Sequence, residues 1–477
     1  MKLIRRELII TGALTLAAAL LTQTFTGVRA TVSNNSRQQT RPNILWILAE
    51  DISPQLSCYG EPLVQTPNID KLASQGARFT RAFTTAPVCS ASRSALITGM
   101  YQTSIGAHNH RTFDKKPLPS GVKIITDYLH EAGYFTVLSG KGPSKKDSKE
   151  GGPAGSGKTD FNFIVNKPFD GYDWNQRQSG QPFFAQLSLQ ESHRGYGWPL
   201  ARKTLKNLVD PNKVKLPPYW PDHPIARDEY ANYLDAIQLV DSYVGVIMKR
   251  LEDEGLADNT VVFFLGDNGS CLFRGKQFLY DGGISVPLII RWPGKIKPGT
   301  VREDFVEGID LAAASLKLAG ISPPANMQGR DFLSPNHQER EYIIAARDRM
   351  DIAIDRMRAV RTKQFKYIRN FIPGIPYMQR NPYKEREYPT WNLVKQLKAE
   401  GKLTPVQALF AADQKPLEEL YDVMADPHEI NNLAEKPEYK QTLLQMRRIL
   451  DRWIKETGDQ GATLEDPIRI YESYFSR

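Results

Sequence analysis

The stretch NILWILAED, residues 43–51, decides the fold class, because a continuous apolar run ends there on two acidic residues. Helical patterns separate it from four further apolar runs: FTVLSGK (135–141), FFAQLSLQESH (183–193), TVVFFLGDNG (260–269) and VPLIIRW (286–292). Short continuous apolar runs of this kind are typical of buried parallel strands. We therefore predict an α/β fold in which these five runs form a parallel sheet.

Two helices and a change of pattern near residue 341 outline the domain organisation. Thr66 and Pro67 supply an N-cap and a first-turn proline for a helix ending near Gly76, and another helical pattern runs from Asp228 to Glu254. From residue 341 the pattern changes to short β-like segments, a Pro- and Tyr-rich loop and an amphipathic helix near residues 440–457. We predict one domain over residues 42–340 and a smaller α+β domain over residues 341–477.

The first 30 residues have the composition of a secretory signal peptide, with a basic start, an apolar stretch and small residues before a cleavage site after Ala30. Beyond them, no uninterrupted apolar run has membrane-spanning length. We expect an exported protein, periplasmic or extracellular, with residues 31–41 as a linker and no membrane association after cleavage. The net charge of +9 suits an acidic substrate, although scattered charge is usually solvated surface.

The cysteine count singles out Cys89. Three cysteines, Cys58, Cys89 and Cys271, leave at least one thiol unpaired in an oxidising compartment. Cys89 lies among small residues in APVCSASRSALITG (86–99), four positions before Arg93. It is the candidate for the unpaired thiol, and the pairing of Cys58 with Cys271 is left open.

Polar side chains follow the predicted strands where each strand ends, and ligands bind beyond such carboxyl ends in open α/β sheets. Some of them offer hard oxygen ligands, which favour Ca²⁺ or Mg²⁺ over zinc: Glu50, Asp51, Asp267 and Asn268. The pair Glu50–Asp51 or the pair Asp267–Asn268 alone is more often part of a turn or the start of a loop. The two pairs together predict a metal site. Others could surround an anion: Arg93, Lys141, His193 and Lys276.

A further motif, GPAGSGKT (152–159), matches the phosphate-binding pattern GxxxxGK[ST]. Nucleotide binding requires a strand before this motif and a helix after it. Neither GPSKKDSKEG before the motif nor DFNFIVNKPFDGYDW after it fits that requirement. We interpret the motif as a flexible Gly/Ser loop and expect neither a nucleotide nor a nucleic acid as a partner.

CSASR (89–93) resembles the signature of the type I sulfatases, in which a maturation enzyme converts the cysteine to formylglycine. The resemblance extends to RPNILWILAED, TPNIDKLASQGARFTRAF, SRSALITGMY, GDNG, KQFLYDGGISVPLIIRWPG and ELYDVMADPHEINNLA, and so covers nearly the whole mature chain. It implies an alkaline-phosphatase-like domain over residues 42–340, with a mixed, mostly parallel sheet flanked by helices. It also implies a smaller C-terminal domain.

The resemblance implies a chemistry as well. One Ca²⁺ would be held by Glu50, Asp51, Asp267, Asn268 and the modified Cys89. One hydroxyl of the hydrated aldehyde at residue 89 would attack sulfur, and the other would let the sulfated intermediate collapse and expel sulfate. Arg93 would support the metal ligands, Lys141 and Lys276 would bind sulfate, and His193 would protonate the leaving atom.

Three positions depart from the family pattern. Glu50 stands where the family usually has aspartate, Ala91 replaces the commoner proline, and the GKxH element appears as GKGPS, with Ser144 and its neighbours supplying no histidine. That histidine is the family's usual base for expelling sulfate. His108, His110 or a residue from another loop could take its place.

The segments RMRAVRTKQFKYIRNF and SLQESHR look most like the heparan N-sulfatase branch, which implies a sulfated saccharide as substrate. An O-sulfatase acting on another polysaccharide, a phosphohydrolase on the same fold and an inert glycan-binding relative stay open as alternatives. Six residues are candidates for a sugar site, with ordinary surface charge as the alternative: His108, His110, Arg111, Arg347, Arg349 and Asp351.

Overall fold

The computed structural model of the protein describes residues 41–140, 157–195 and 197–475. Within them, the apolar runs of the sequence form strands. The predicted signal peptide, most of the predicted linker and Lys141 lie outside the described residues. The described residues from Arg41 onward form one compact unit. The domain boundary after residue 340 stays a prediction.

The described residues contain strands of two to seven residues. In chain order they are β1 (Asn43–Ala49), β2 (Ala77–Phe79), β3 (Ala82–Phe83), β4 (Lys116–Pro117), β5 (Phe135–Ser139), β6 (Phe163–Ile164), β7 (Phe183–Leu189), β8 (Thr260–Gly266), β9 (Leu288–Arg291), β10 (Thr300–Arg302), β11 (Val306–Glu307), β12 (Tyr342–Arg347), β13 (Met357–Thr362), β14 (Phe365–Asn370) and β15 (Glu418–Asp422).

The α-helices of the described residues connect and cover these strands. They are α1 (Pro67–Ser74), α2 (Cys89–Thr98), α3 (Ile125–Glu131), α4 (Gly197–Thr204), α5 (Pro224–Asp253), α6 (Asp281–Ile284), α7 (Asp310–Leu318), α8 (Pro382–Glu387), α9 (Pro389–Ala399), α10 (Pro405–Phe410), α11 (Lys440–Thr457) and α12 (Pro467–Phe475). None of them is both long and apolar enough to span a bilayer.

The central sheet has seven strands in the order β10-β2-β9-β8-β1-β7-β5. Strands β8, β1, β7 and β5 are parallel, which confirms the mostly parallel α/β prediction. The prediction is wrong for VPLIIRW, because β9 runs antiparallel to both β8 and β2. Residues 267–287, which connect β8 to β9, stay at the carboxyl edge of the sheet and make no crossover to its other edge. Within this connection Gly269 N donates to Gly283 O (3.0 Å).

The central strands are apolar on both faces because helices cover both sides of the sheet. Every residue of β1, β7 and β8 is buried. Leu45 and Ile47 belong to the core that includes α1 and α5, whereas Ile44 and Trp46 belong to the core that includes α2, α3 and α7. Alternate side chains of one strand thus supply two apolar layers.

The two predicted helices form with shifted starts or caps. Helix α5 begins at Pro224, four residues before the predicted start, because His223 accepts a cap hydrogen bond from Ile225 N. Helix α1 follows Thr66 as predicted, but the Thr66 side chain does not cap the helix backbone. Its hydroxyl instead bonds to Asp70 Oδ1 (3.1 Å) and to Ser57.

The C-terminal part contains the predicted β-strands and helix. Strands β12, β13, β14 and β15 form one antiparallel sheet. Helix α11 buries one face at helical spacing against this sheet, through Leu443, Met446, Leu450 and Trp453. This element order agrees with the predicted α+β character of the region.

Candidate active site

The ends of β1 and β8 meet the first turn of α2 and form an inner site, which we define as Glu50, Asp51, Cys89, Arg93, Asp267, Asn268 and Lys276. Asp51 N donates to Asp267 Oδ1 (3.0 Å), which joins the two strand ends directly. Arg93 donates to Asp267 Oδ2 (2.9 Å) and to Glu50 Oε1 (3.3 Å). All of these residues are buried, as expected for a site built at strand ends.

Cys89 is the first residue of α2 and is fully buried. Its Sγ lies 3.1 Å from Lys276 Nζ and 3.6 Å from Asp51 Oδ1. Burial raises the pKa of the thiol to about 12, although Lys158 and Lys276 oppose this rise. The unmodified side chain is therefore an uncharged thiol at neutral pH, and an uncharged thiol is a weak nucleophile.

The first turn of α2 is tied to the β8 end, which fixes the position of Cys89. Val88 is extended before the helix begins, and Ser92 N donates to Val88 O (3.0 Å). The Ser92 hydroxyl contacts Asp267 O, one residue beyond β8, and also bonds to Thr84 Oγ1 (2.7 Å). Residue 89 is thereby held at the carboxylate cluster.

Three carboxylates in a small volume create a strong negative field. Burial raises the pKa of Asp267, and Glu50 and Asp51 add to the rise against the opposing effect of Arg93. Burial also raises the pKa of Asp51, but Lys276 and His193 outweigh this effect and bring the Asp51 pKa well below its usual range. Such a cluster requires compensating cations.

The inner site fits a hard divalent cation. Ligand atoms of Glu50, Cys89 and Asp267 all lie within 4.8 Å of one another. Among the described residues, buried Asn268 Oδ1 has no hydrogen-bond partner, while its Nδ2 donates to Asp51 Oδ1 (2.9 Å). An orphaned amide oxygen beside carboxylate oxygens is the donor set that Ca²⁺ or Mg²⁺ prefers.

Lys276 and His193 face the cluster from two other loops. Lys276 Nζ donates to both Asp51 oxygens, at 2.7 and 2.9 Å. His193 Nε2 lies 3.8 Å from Asp51 Oδ2, and its Nδ1 contacts Arg194 O at 2.7 Å. Because a carbonyl can only accept, Nδ1 carries a proton and Nε2 faces the site.

Backbone strain concentrates here. Seven described non-glycine residues have positive φ, and five of them lie in the inner site or beside it: Asp51, Arg111, Asp160, Gln277 and Asp351. Gln277, with φ 90°, follows Lys276 and donates from its N to Pro87 O (2.8 Å). Strain of this kind persists where the surroundings over-determine the backbone, which is common at functional sites.

A cavity of about 340 Å³ opens from Lys276 and His193 toward the surface. Its other lining residues are His110, Arg111, Phe113, Arg349, Met350, Asp351, Tyr383, Arg386 and Ile470. Four of the six predicted sugar-site residues are among them. Asp351 contacts His110 (3.5 Å), and Arg349 Nη1 donates to Asp351 O (2.8 Å).

The other two predicted sugar-site residues are not at this cavity. Arg347 is buried, pairs with Asp355 (3.1 Å) and lies over the Phe278 ring, so it serves the core. His108 is buried and does not line the cavity. Strand β12 ends at Arg347, so the alternation that would place residues 347 and 349 on one face does not extend to Arg349, which contacts Asp351 and Glu465 instead.

Sequence reasoning missed several residues of the site. Lys158, from the GSGKT stretch, reaches Glu50 Oε2 (3.1 Å), so the flexible-loop interpretation does not hold for Gly157 and Lys158. Residues 152–156 of that motif lie outside the described residues. Phe113, Tyr383 and Ile470 carry no motif that could have identified them. Cys58 and Cys271, whose pairing was open, are both free thiols.

Comparisons with known proteins identify the class. Residues 42–321 match the sulfatase family, and residues 269–375 match the C-terminal region of N-sulphoglucosamine sulphohydrolase. An ulvan-active sulfatase of Formosa agariphila is 34% identical, over 88% of this chain and 76% of the relative. N-sulphoglucosamine sulphohydrolase of Homo sapiens is 27% identical, over 90% of this chain and 93% of the relative.

A solved structure has the same fold. It is described as a complex with its substrate D-glucosamine-2-N,6-O-disulfate, and it covers 88% of this chain and 98% of its own, with a TM-score of 0.62 and 19% identity. The chain belongs to the sulfatase family. It is a sulfatase, and therefore a hydrolase.

Proposed function

We propose that the protein removes sulfate from a sulfated saccharide and that formylglycine made from Cys89 supplies the nucleophile. One observation carries this proposal: buried Cys89 lies within 3.6 Å of both the Lys276 ammonium and the Asp51 carboxylate. The thiol itself suits this setting poorly, since sulfur is a soft ligand beside hard oxygen donors. An oxygen at the same position would suit a calcium site.

The proposed cation is Ca²⁺, one per chain, held by Glu50, Asp51, Asp267, Asn268 and modified Cys89. The orphaned Asn268 oxygen and the three buried carboxylates support this assignment. The bound ion would supply Lewis-acid charge at the reacting oxygens. Glu50, which replaces the usual aspartate, is long enough to contact both Arg93 and Lys158.

The remaining roles belong to the chain's own cations. Lys276 would bind a sulfuryl oxygen, which its position 3.1 Å from Cys89 Sγ supports. Arg93 would fix the two carboxylates, Glu50 and Asp267, that it contacts. His193 would act as the general acid, which is supported by the contact of Nδ1 with Arg194 O and by Nε2 facing the site. Burial and Lys276 lower the His193 pKa, which makes its protonated form a stronger acid. The sulfate-binding role of Lys141 stays a prediction.

Two relatives each support a different class of substrate. The relative named for N-sulphoglucosamine favours a sulfamate, as in a heparan N-sulfatase, and the relative named for ulvan favours an O-sulfate ester. The cavity residues Arg111 and Arg349 suit an anionic saccharide in either case. We further propose an exported protein, periplasmic or extracellular, that a formylglycine-generating enzyme matures.

A substrate screen tests the function. The mature protein, made in a host with the maturation system, is incubated with ulvan oligosaccharides, N-sulfated glucosamine, O-sulfated glycosaminoglycan oligosaccharides and an aryl phosphate. We expect calcium-dependent release of sulfate from at least one saccharide, together with a peptide mass at residue 89 that reports conversion of thiol to aldehyde. Faster cleavage of the aryl phosphate would favour the phosphohydrolase alternative. Binding of saccharide without turnover would favour the inert relative.

A further inference from the structure

Lys384 joins helix α8 to the β8–β9 connection that carries Lys276. Its side chain is fully buried, and its Nζ donates to Lys276 O (2.9 Å). Three aromatic rings lie around the same Nζ, with centroids at 4.1 Å (Tyr388), 5.5 Å (Phe278) and 5.6 Å (Trp391). Burial lowers the pKa of Lys384 well below its usual value, but the bond to a carbonyl needs only an N–H, which the amine and the ammonium both have. An apolar residue of similar volume would avoid the desolvation of this amino group, so the contact with Lys276 O points to a role beyond packing.

The Lys276 carbonyl that Lys384 holds belongs to a strained part of the backbone. The same peptide unit carries the N–H of Gln277, which donates to Pro87 O (2.8 Å), two residues before Cys89. Gln277 has φ 90°, a left-handed conformation that a non-glycine residue keeps only where its surroundings enforce it. Lys384 and Pro87 therefore hold the two sides of this peptide, one from α8 and the other from the segment that leads into α2.

The position of this peptide determines where the Lys276 ammonium lies. Lys276 Nζ is 3.1 Å from Cys89 Sγ and 2.7 Å from Asp51 Oδ1. The Cα of Lys276 is part of the same planar unit, so a rotation of the peptide would move the base of the side chain and change both distances. Whatever fixes this peptide therefore also fixes the ammonium that faces residue 89.

We propose that Lys384 is a positioning residue, which holds the Lys276 peptide so that the Lys276 ammonium meets the sulfuryl group of the substrate. The inference rests on the proposed function, because it takes the sulfate-binding role of Lys276 from there. Lys384 is not among the residues that line the cavity, so it would act through Lys276 and not on the substrate. A preorganised cation stabilises developing negative charge more effectively than one that must first be ordered. The opposing view is that Lys384 only fills the space between the three rings.

Inorganic sulfate is the probe that separates these roles. It is titrated calorimetrically into the calcium-loaded mature enzyme and into Lys384→Met, which keeps the length of the side chain and removes the donor. We expect K384M to bind sulfate about threefold to tenfold more weakly, which is the loss expected for one hydrogen bond, and to lower kcat/KM for an aryl sulfate by a similar factor. Its unfolding temperature should stay near that of the parent, because an apolar side chain suits the aromatic surroundings. Lys384→Leu replaces K384M if the methionine variant does not fold.

Lys415→Met is the matched control. Lys415 is also buried in the C-terminal part, but it pairs with Asp355 (2.8 Å) outside the inner site. Removing one partner of a buried ion pair is strongly destabilising, so K415M should unfold at a lower temperature than the parent. Its sulfate affinity should equal that of the parent. The two variants together thus separate positioning of Lys276 from a general loss of stability.

Two results overturn the inference. Sulfate affinity in K384M equal to that of the parent leaves Lys384 with packing alone. Equal weakening of sulfate binding in K384M and K415M shows that the effect is not specific to the contact with Lys276. In either case the parent still binds sulfate and releases it from saccharides, so the proposed function stands. A parent that does neither overturns the proposed function itself.

Discussion

The cavity has two ends that are built differently. The inner site comes from strand ends and the first turn of α2, and its carboxylates and cations contact one another at 2.7–3.3 Å. The outer wall, which we define as His110, Arg111, Phe113, Arg349, Asp351 and Ile470, comes from loops and the C-terminal segment. Its Arg349 is held by Glu465 at 2.5 Å, more than a hundred residues away in sequence.

This contrast in construction indicates where chemistry and selectivity reside. Strand ends in a packed parallel sheet cannot move independently, so they suit groups that must meet a reacting atom within a few tenths of an ångström. Loops joined by single ion pairs tolerate change, so they suit recognition of variable saccharides. Substitutions at the inner site are therefore expected to abolish turnover of every substrate, and those at the outer wall to alter selectivity.

The largest effect is expected at residue 89. Cys89→Ala removes the proposed precursor of the nucleophile and is expected to lower kcat/KM by roughly a thousandfold or more for saccharide and aryl sulfates alike. The unfolding temperature should change little, because alanine fits the first turn of a helix. Steady-state kinetics on both substrates checks this. Full activity in C89A would break the assignment of the inner site to chemistry.

Next in size is the loss of a carboxylate. Asp267→Asn leaves Arg93 without its closest partner, and breaking a buried ion pair costs about 3–5 kcal/mol of unfolding free energy. Calcium affinity, measured by calorimetry, should fall as well. Asp310→Asn is the matched control, because Asp310 forms a buried pair with Arg340 outside the site. It should lose similar stability and keep its calcium affinity; equal calcium loss in both variants would contradict the metal assignment.

The sequence predicts the inner site well and the outer wall only in part. Short apolar runs that end on Glu50, Asp51, Asp267 or Asn268 mark strand ends, and the carboxyl edge of a parallel sheet brings them together. The direction of β9 was not predictable from its apolar pattern, because antiparallel and parallel buried strands share that pattern. Lys158 was missed because its place depends on the close approach of Gly157 to Ser139 O, which is long-range.

The residues of the outer wall can be identified only in part from the local sequence. The chemistry of their side chains alone makes His110, Arg111, Arg349 and Asp351 candidates for the cavity. Arg347 has the same chemistry but lies in the core. Composition cannot separate Arg347 from Arg349, since which one faces the cavity depends on packing against Asp355 and Phe278. Ile470 carries no local signal, because only tertiary packing brings it to the cavity.

A smaller effect, dependent on substrate, is expected at the junction of the two ends. His193→Gln removes the proposed general acid, which should lower kcat roughly 10²-fold to 10⁴-fold for a saccharide sulfate. An aryl sulfate with an acidic phenol needs little protonation of its leaving oxygen, so its turnover should fall far less. Comparing kcat on the two substrates checks the role. Equal losses would assign His193 to positioning Asp51 instead.

The smallest effect is expected at the outer wall, where it tests most directly whether the two ends of the cavity have different roles. Glu465→Gln weakens the ion pair with Arg349 and keeps the contact to Thr112, so Arg349 loses its orientation while the inner site is untouched. We expect KM for the saccharide to rise about threefold to tenfold, consistent with the loss of one charge-assisted hydrogen bond. Because a small aryl sulfate does not reach this wall, its kcat and KM should stay at parent values. An equal change on both substrates would mean that the outer wall acts on the chemistry, and the division between the two ends would fail.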